Sequence, residues 1–522
     1  MCSLILTLQQ EHIGSIIQAI NYFYLMNGKL INGRKAVFAV VFLLSVGCAN
    51  ARSVKNIVWL YAFDSHVDIT KIDYGSRKTT VHFSTCRHHE ESFCIGHGIY
   101  IVGDDGIRHH AIGTKGITLD SIYQIGKGKG LDFSIDFEPV AIFNRFLDVR
   151  NPFCFSIYGI HDNAIPVAIP QARGEVPDNE ADFSLFKATD VEIEGVLHDP
   201  TGEMGSIVQI NYVPPRPEPD KRQKKTAKAD ANGHFYMRFN MYAPQRMFFI
   251  YPYAHGDVGN IYVRPGDKIF VNLYDPQDGK GIDYQNLSGR NTYNNLSNAP
   301  TYPFDPNKYN KNLRPNIRFM QWDYQQQQEE LMKEYDNSLD FANYICWHYH
   351  LSPYETRLYL DNIHGNFISL LLSTDIGVKL QHLFSQTASE KEQYGVILNN
   401  MKYAYLKRLS PNDAILITNT GVEYSINLLS QLPPIEDCVN KIPKNEPNRW
   451  RKIIDLQQKE LNRITGWTGM TFVMELIIIN DIWYLSEKEI ENEYMQVRQL
   501  LNHPYSQIYF DLYINEVMKD KS

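Results

Sequence analysis

The spacing of apolar residues changes partway along this chain, and that change restricts the fold more than any other feature. Val81 and Phe83 alternate with polar neighbours, as do Phe133, Ile135 and Phe137, and Phe153, Phe155 and Ile157. A two-residue period puts apolar side chains on one face of a strand. Gly103-Asp104-Asp105-Gly106 and the glycine-rich stretch Gly126 to Gly130 punctuate these strands as turns. The same alternation returns at Val191 and Ile193, at Phe235, Met237 and Phe239, and at Ile269, Val271 and Leu273. Between them, Asp230 to Gly233 and Arg264-Pro265-Gly266-Asp267 read as turns, with Pro fixing φ and Gly taking the positive-φ position.

Farther on the period becomes helical. Leu360, Ile363, Phe367 and Leu371 recur at three- and four-residue steps. Ser352-Pro353-Tyr354-Glu355 is a capping box with Pro at the first helical position, and Ser410-Pro411-Asn412-Asp413 opens another helix in the same way. One set of apolar positions cannot serve both geometries. The periods therefore predict a multidomain chain: two antiparallel β-sandwich-like units followed by an all-α helical domain. The β domain spans 52–163, a linker 164–187, the second β-sandwich 188–276, a loop 277–315, and the helical domain 316–518. A length of 522 residues suits such a division, since domains run to about 100–200 residues each.

The N-terminal residues carry a targeting pattern. Residues 1–25 contain no Lys or Arg, whereas Lys29, Arg34 and Lys35 precede the apolar run Ala36 to Gly47. Ala49-Asn50-Ala51 then supplies a small-residue cleavage site. Basic region, short apolar region and cleavage site, in that order, define a secretory signal over 26–51. The run is shorter than the ~20 residues a membrane-spanning helix needs. Translation is expected to start at Met26, with 1–25 an upstream extension. Leu44 to Cys48 also resembles a bacterial lipobox, with Ser45 where Leu is usual. Cleavage after Ala51 and lipid attachment at Cys48 both fit the residues.

The chemistry-bearing residues are sparse. None of the seven cysteines forms a C-x-x-C pair, which excludes a thioredoxin-type redox centre built from these residues. Cys86 and Cys94 are spaced to sit on the two arms of a hairpin, and an exported protein can hold them as a disulfide. His82, Cys86, His88, His89, Cys94 and His97 are zinc-binding residue types, but their spacing matches no zinc motif. Cys346 and His350 are four apart, as a nucleophile and base on one helical face would be, though a buried thiol in the core explains Cys346 as well. Gly follows each Lys in Gly126 to Gly130, so the phosphate-loop pattern fails. There is no G-x-S-x-G and no H-E-x-x-H. No catalytic, cofactor-binding or metal-ligating residue is assigned, and no cofactor is expected. The net charge of −8, spread without a dominant block, argues against a nucleic-acid partner.

Gly116-Ile117-Thr118-Leu119, Phe137-Glu138-Pro139 and Phe155 to His161 resemble the N-terminal region of exported thioredoxin-like proteins of the TlpA type from gram-negative gut bacteria. Asn232-Gly233-His234-Phe235 and Arg264 to Asp267 resemble landmarks of the small β-sandwich that follows in that family. The resemblance implies a helical segment next, and then a thioredoxin domain with a redox C-x-x-C. The sequence stops at Ser522, about where that domain would begin, so no redox residue carries over. The expected function is an exported, non-enzymatic scaffold or binding protein of the cell envelope. It would have an envelope protein as partner and touch the membrane only through a lipid on Cys48. The alternative is an accessory or truncated member of the TlpA-type thiol-disulfide oxidoreductase family. A hydrolase with carboxylates assembled only in space is the third option.

Overall fold

The computed structural model describes residues 52–519, apart from 64–66, 87–90, 126–129, 142–144, 152–154, 165–167, 177–186, 199–206, 213–222, 251–256, 275–281, 301–323, 374–405, 408–431, 484 and 486. The signal segment, Cys48, Ala51, Phe153, His88, His89 and the Ser410 helix start lie outside these residues. The chain is mostly β-sheet in its first half and helical toward its C-terminus.

The first twelve strands are β1 (Arg52–Val54), β2 (Ile57–Val58), β3 (Tyr61–Phe63), β4 (Val67–Tyr74), β5 (Thr79–Cys86), β6 (Glu91–Cys94), β7 (Tyr100–Gly103), β8 (Arg108–Lys115), β9 (Ile122–Ile125), β10 (Gly130–Phe137), β11 (Leu147–Arg150) and β12 (Ser156–Asp162). Ten of them form one sheet in the order β1-β4-β5-β10-β8-β7-β11-β12-β2, with β3 also on β12. Its far end, β2, comes back against β4. The sheet is thus a nearly closed barrel rather than one layer of a sandwich. Alternation tells which face of a strand is buried, but not whether the sheet closes on itself or onto a second one. The enclosed core includes Val81, Phe83, Phe133, Ile135 and Phe137. In β4 the buried residues are Val67 and Ile69, then Ile72 and Tyr74. A bulge between Ile69 and Lys71 resets the phase.

The next eight strands are β13 (Thr189–Leu197), β14 (Ile207–Tyr212), β15 (Gln223–Lys228), β16 (His234–Met241), β17 (Gln245–Ile250), β18 (Asp257–Val263), β19 (Lys268–Leu273) and β20 (Ile282–Asn286). They form two four-stranded sheets, β16-β13-β19-β20 and β15-β14-β17-β18. Val191, Met237 and Val271 of one share a core with Ile210, Met247 and Ile261 of the other. The expectation of wholly antiparallel pairing fails at one place, because β13 and β19 run parallel. Two-residue periodicity carries no strand direction. The long connection that a parallel pair requires passes here through the opposite sheet.

One segment expected to be a loop contains regular elements, and the described part of the other, irregular as expected, is packed down. Within 277–315, Ile282 and Tyr284 of β20 alternate into the core, and α1 (Asn294–Asn298) follows. Both elements are too short for periodicity to stand out. In the 164–187 linker, residues 168–176 lie against the helices. Ala172 N–H donates to Asn343 Oδ1 at 2.8 Å, and Glu175 N–H donates to Pro353 O at 3.1 Å.

The helices are α2 (Tyr324–His348), α3 (Pro353–Ser373), α4 (Pro433–Lys441), α5 (Arg449–Thr465), α6 (Thr471–Trp483), α7 (Glu487–Leu500) and α8 (Pro504–Lys519). Val473 to Ile479 of α6 are all buried, as a helix at the centre of a bundle must be. Among the described residues no helix is long and apolar enough to cross a membrane. The capping box at α3 forms as expected. Glu355 N–H donates to Ser352 Oγ at 3.3 Å, and Ser352 N–H donates to Glu355 Oε2 at 2.9 Å. The other carboxylate oxygen of Glu355 accepts Leu296 N–H at 2.9 Å, tying α1 to α3. Ser352→Ala should lower stability by about 1 kcal/mol, read as a drop in the urea midpoint at unchanged slope.

Candidate functional site

Three parts of the chain meet at one open cleft of about 400 Å³. The β7–β8 turn, the edge strand β20 with α1, and the α2–α3 turn each supply a wall. The first wall is the Gly103–Gly106 turn. Gly106 takes φ 71° and donates to Gly103 O at 2.9 Å, while Asp105 Oδ1 accepts Ile107 N–H at 3.0 Å. Asp105 therefore stands exposed at the rim, and Arg108 follows where β8 begins. The guanidinium of Arg108 lies 5.1 Å from the centre of the Tyr100 ring and donates to Asn298 Oδ1 at 3.1 Å.

Asparagines build the second wall because β20 is a sheet edge, with backbone groups that need partners. Asn294 Oδ1 accepts Tyr284 N–H, and its amide donates to Tyr284 O at 3.1 Å. The Asn298 amide donates to Ile282 O at 3.2 Å. These bonds cap the strand edge and leave Asp283, which is exposed, facing the cleft.

The third wall is the end of α2. His350 adopts φ 52°, a left-handed conformation that non-glycine residues rarely take. Leu351 N–H closes the helix end onto Cys346 O at 3.0 Å. His350 Nε2 donates to Asp104 O at 2.9 Å, and the Asn295 amide donates to His350 O at 3.0 Å. The turn is held by the barrel on one side and by α1 on the other.

Behind the cleft lies a buried polar network. Asp148 of β11 is fully buried and accepts the Tyr344 hydroxyl at 2.6 Å, the Tyr349 hydroxyl at 2.9 Å and Gly159 N–H at 2.9 Å. Arg150 donates to the Tyr349 hydroxyl at 3.2 Å and lies over the Tyr158 ring. Burial, and then the Asp148 charge, push the Tyr344 and Tyr349 phenols well above their ordinary value. Both hydroxyls therefore stay protonated as donors. The network joins β11 to α2 across 196 residues of sequence. Sequence reasoning missed it. The available signals were Asp148 in an apolar strand and the Tyr344–His348 spacing of four.

Among the described residues, those that drew attention in the sequence have separate partners. Cys86 pairs in register with Gly130 on β10, and Cys94 with Ile122 on β9. They are not two arms of one hairpin, because each strand has other partners. His82 of β5 bonds Asp73 of β4 at 2.9 Å, whereas His97, in the turn before β7, bonds Asp120, in the turn before β9, at 2.9 Å. Among the described residues no group of three or more His, Cys, Asp or Glu is placed to hold a metal. Cys346 is buried, and burial pushes its thiol up to about 12. His350 lies beyond the end of α2 in a left-handed conformation and bonds Asp104 O, while the Cys346 thiol bonds Thr356, so each of the two has a different partner.

No family model and no curated protein matches the chain. Among solved structures, a pullulanase complexed with maltotriose, from an Anoxybacillus species, aligns over 36% of this chain and 23% of its own, with 7% identity and a TM-score of 0.10. This chain thus spans less than a quarter of the pullulanase, and at that score the likeness carries no argument about fold or activity.

Proposed function

We propose that this is an exported, non-enzymatic binding or scaffold protein of the cell envelope, and that the three-walled cleft is its binding surface. The observation that supports the reading is the convergence of three separately placed backbone segments on one open, polar cleft, with the ionisable groups behind it already engaged with one another. Asp105, Arg108, Asp283 and His350 around the opening suit a polar partner. In the finer form of this reading the barrel, the two facing sheets and the helices are three domains. The barrel core and the two-sheet core are separate clusters, which favours that division. The alternative, an accessory member of the TlpA-type thioredoxin-like family, rests on sequence motifs alone. The positive-φ glycines Gly233 and Gly266 in the two landmark turns are compatible with it.

Expressed in a gram-negative host, the protein should be recovered in the envelope with its N-terminus at Arg52 or with lipid on Cys48. A photo-crosslinking residue at Asp283 should capture an envelope component that the same probe at exposed Tyr236 does not. A cytoplasmic protein with Met1 or Met26 intact would sink the export reading. Equal capture from both positions would sink the cleft as the binding surface.

A further inference from the structure

We propose that His348, held as an imidazolium between Asp104 and Asp148, is a pH-sensitive latch that fastens the end of α2 to the barrel. The inference goes beyond the binding reading and needs no ligand. His348 is 1% exposed. Its Nδ1 lies 3.5 Å from Asp104 Oδ1, and its Nε2 lies 3.6 Å from Asp148 Oδ2. The two carboxylates belong to the barrel, one from the β7–β8 turn and one from β11, and they address opposite nitrogens of one ring on α2. A neutral imidazole carries a single N–H. It could face only one carboxylate with a donor, and would turn a lone pair on the other. The imidazolium has two N–H groups and meets both with the right sign. Neither nitrogen makes a hydrogen bond, so the two carboxylates meet the ring at ion-pair distance and no other group competes for it.

The surroundings fix the ring and balance its charge. The Tyr344 ring stacks on it at 5.0 Å, and Tyr349 meets it edge-on at 5.3 Å. From β11, Arg150 supplies a second cation, directed at the Tyr349 hydroxyl and lying over Tyr158 of β12. From the β7–β8 turn, Asp105 adds a more distant negative charge. The Asp104 carboxylate also accepts the Arg145 and Phe146 N–H groups, and its backbone carbonyl accepts His350. One fully buried anion, Asp148, and one partly exposed anion, Asp104, thus face the buried imidazolium, with partly buried Arg150 nearby. Deprotonating His348 would leave one carboxylate charge without an offset inside the protein, which is costly in a low-dielectric interior.

The direction of the pH effect follows. Burial alone pushes the His348 pKa down, but the Asp148 charge and then Asp104 outweigh it, so the net shift is upward. A group raised in the folded state contributes fully below its unfolded value, about 6.5 for His. That contribution fades as pH rises through the raised value. Burial pushes Asp104 up, but His348 and the two backbone N–H groups pull it below its ordinary value. Its own contribution is therefore present above about pH 4 and fades only in stronger acid. The latch opens on the alkaline side.

Hydrogen exchange on the full chain tests this. Amides of 341–351 should lose about tenfold or more in protection between about pH 6 and about pH 9, after correction for intrinsic exchange, as the imidazolium contribution fades. Amides of 191–197, in the two-sheet core, should not follow. His348→Gln should remove the step. Asp104→Asn should move it to lower pH, because one of the charges that raise the pKa is gone. Wild-type protection of 341–351 that tracks 191–197 at every pH would overturn the latch, as would an unchanged step in His348→Gln. Should His348→Gln fail to fold, the wild-type step and its displacement in Asp104→Asn decide the matter, and an undisplaced step counts against the latch.

Discussion

Replacing Asp148 with alanine should lower the unfolding free energy by about 3–5 kcal/mol, the range for breaking a buried charge cluster by removing one member. The carboxylate accepts three hydrogen bonds, from Tyr344, Tyr349 and Gly159, and faces His348. Alanine would leave two buried hydroxyls and a backbone N–H without their acceptor, and each such group carries a desolvation penalty. The imidazolium would lose one of its two carboxylates as well. Asp148→Asn should fall between, since the amide keeps one acceptor oxygen but loses the charge. Urea unfolding reads the effect as a lower midpoint. A loss under about 1 kcal/mol, the worth of one ordinary hydrogen bond, would mean that the network does not hold β11 to α2.

Asp267→Ala should cost about as much, about 3–5 kcal/mol, although it lies in the other β region. Asp267 and Arg264 are both buried in the β18–β19 turn. Asp267 Oδ2 accepts the Arg264 N–H at 2.9 Å and its Nε at 3.3 Å, while Oδ1 accepts from Arg290 at 3.0 Å. The Arg264 guanidinium also donates to Asn291 O and lies 5.5 Å from the Tyr293 ring centre. Without the carboxylate, a buried guanidinium keeps its charge and loses its anion. The Arg264–Asp267 turn is therefore a structural clamp that secures the segment leading into α1. Asp267→Asn should recover part of the loss, and full wild-type stability in Asp267→Ala would refute the clamp.

The periodic elements were legible in advance because their signals are local. Val191 and Ile193, or Phe235 and Met237, announce a buried strand face within a few residues, and the structure buries all four. The Ser352–Glu355 box needs only its own backbone, and it forms. Turn chemistry is local too, and Gly106, Gly233 and Gly266 take the positive φ their turns require.

What the sequence determined by itself is which residues face a core and where strands give way to helices. Both depend on chain geometry over a few residues. The tertiary structure alone decided that the first sheet curls into a barrel, that β13 lies parallel to β19, and that Ile282 and Tyr284 form an edge strand. It alone brought Asp104 and Asp148 to either side of His348. Strand direction, sheet closure and the meeting of distant charges depend on how preformed elements pack. No spacing along the chain records that Asp148 and His348, two hundred positions apart, share one buried volume, since their pairing is set by three-dimensional packing and by the need of a buried charge for a partner.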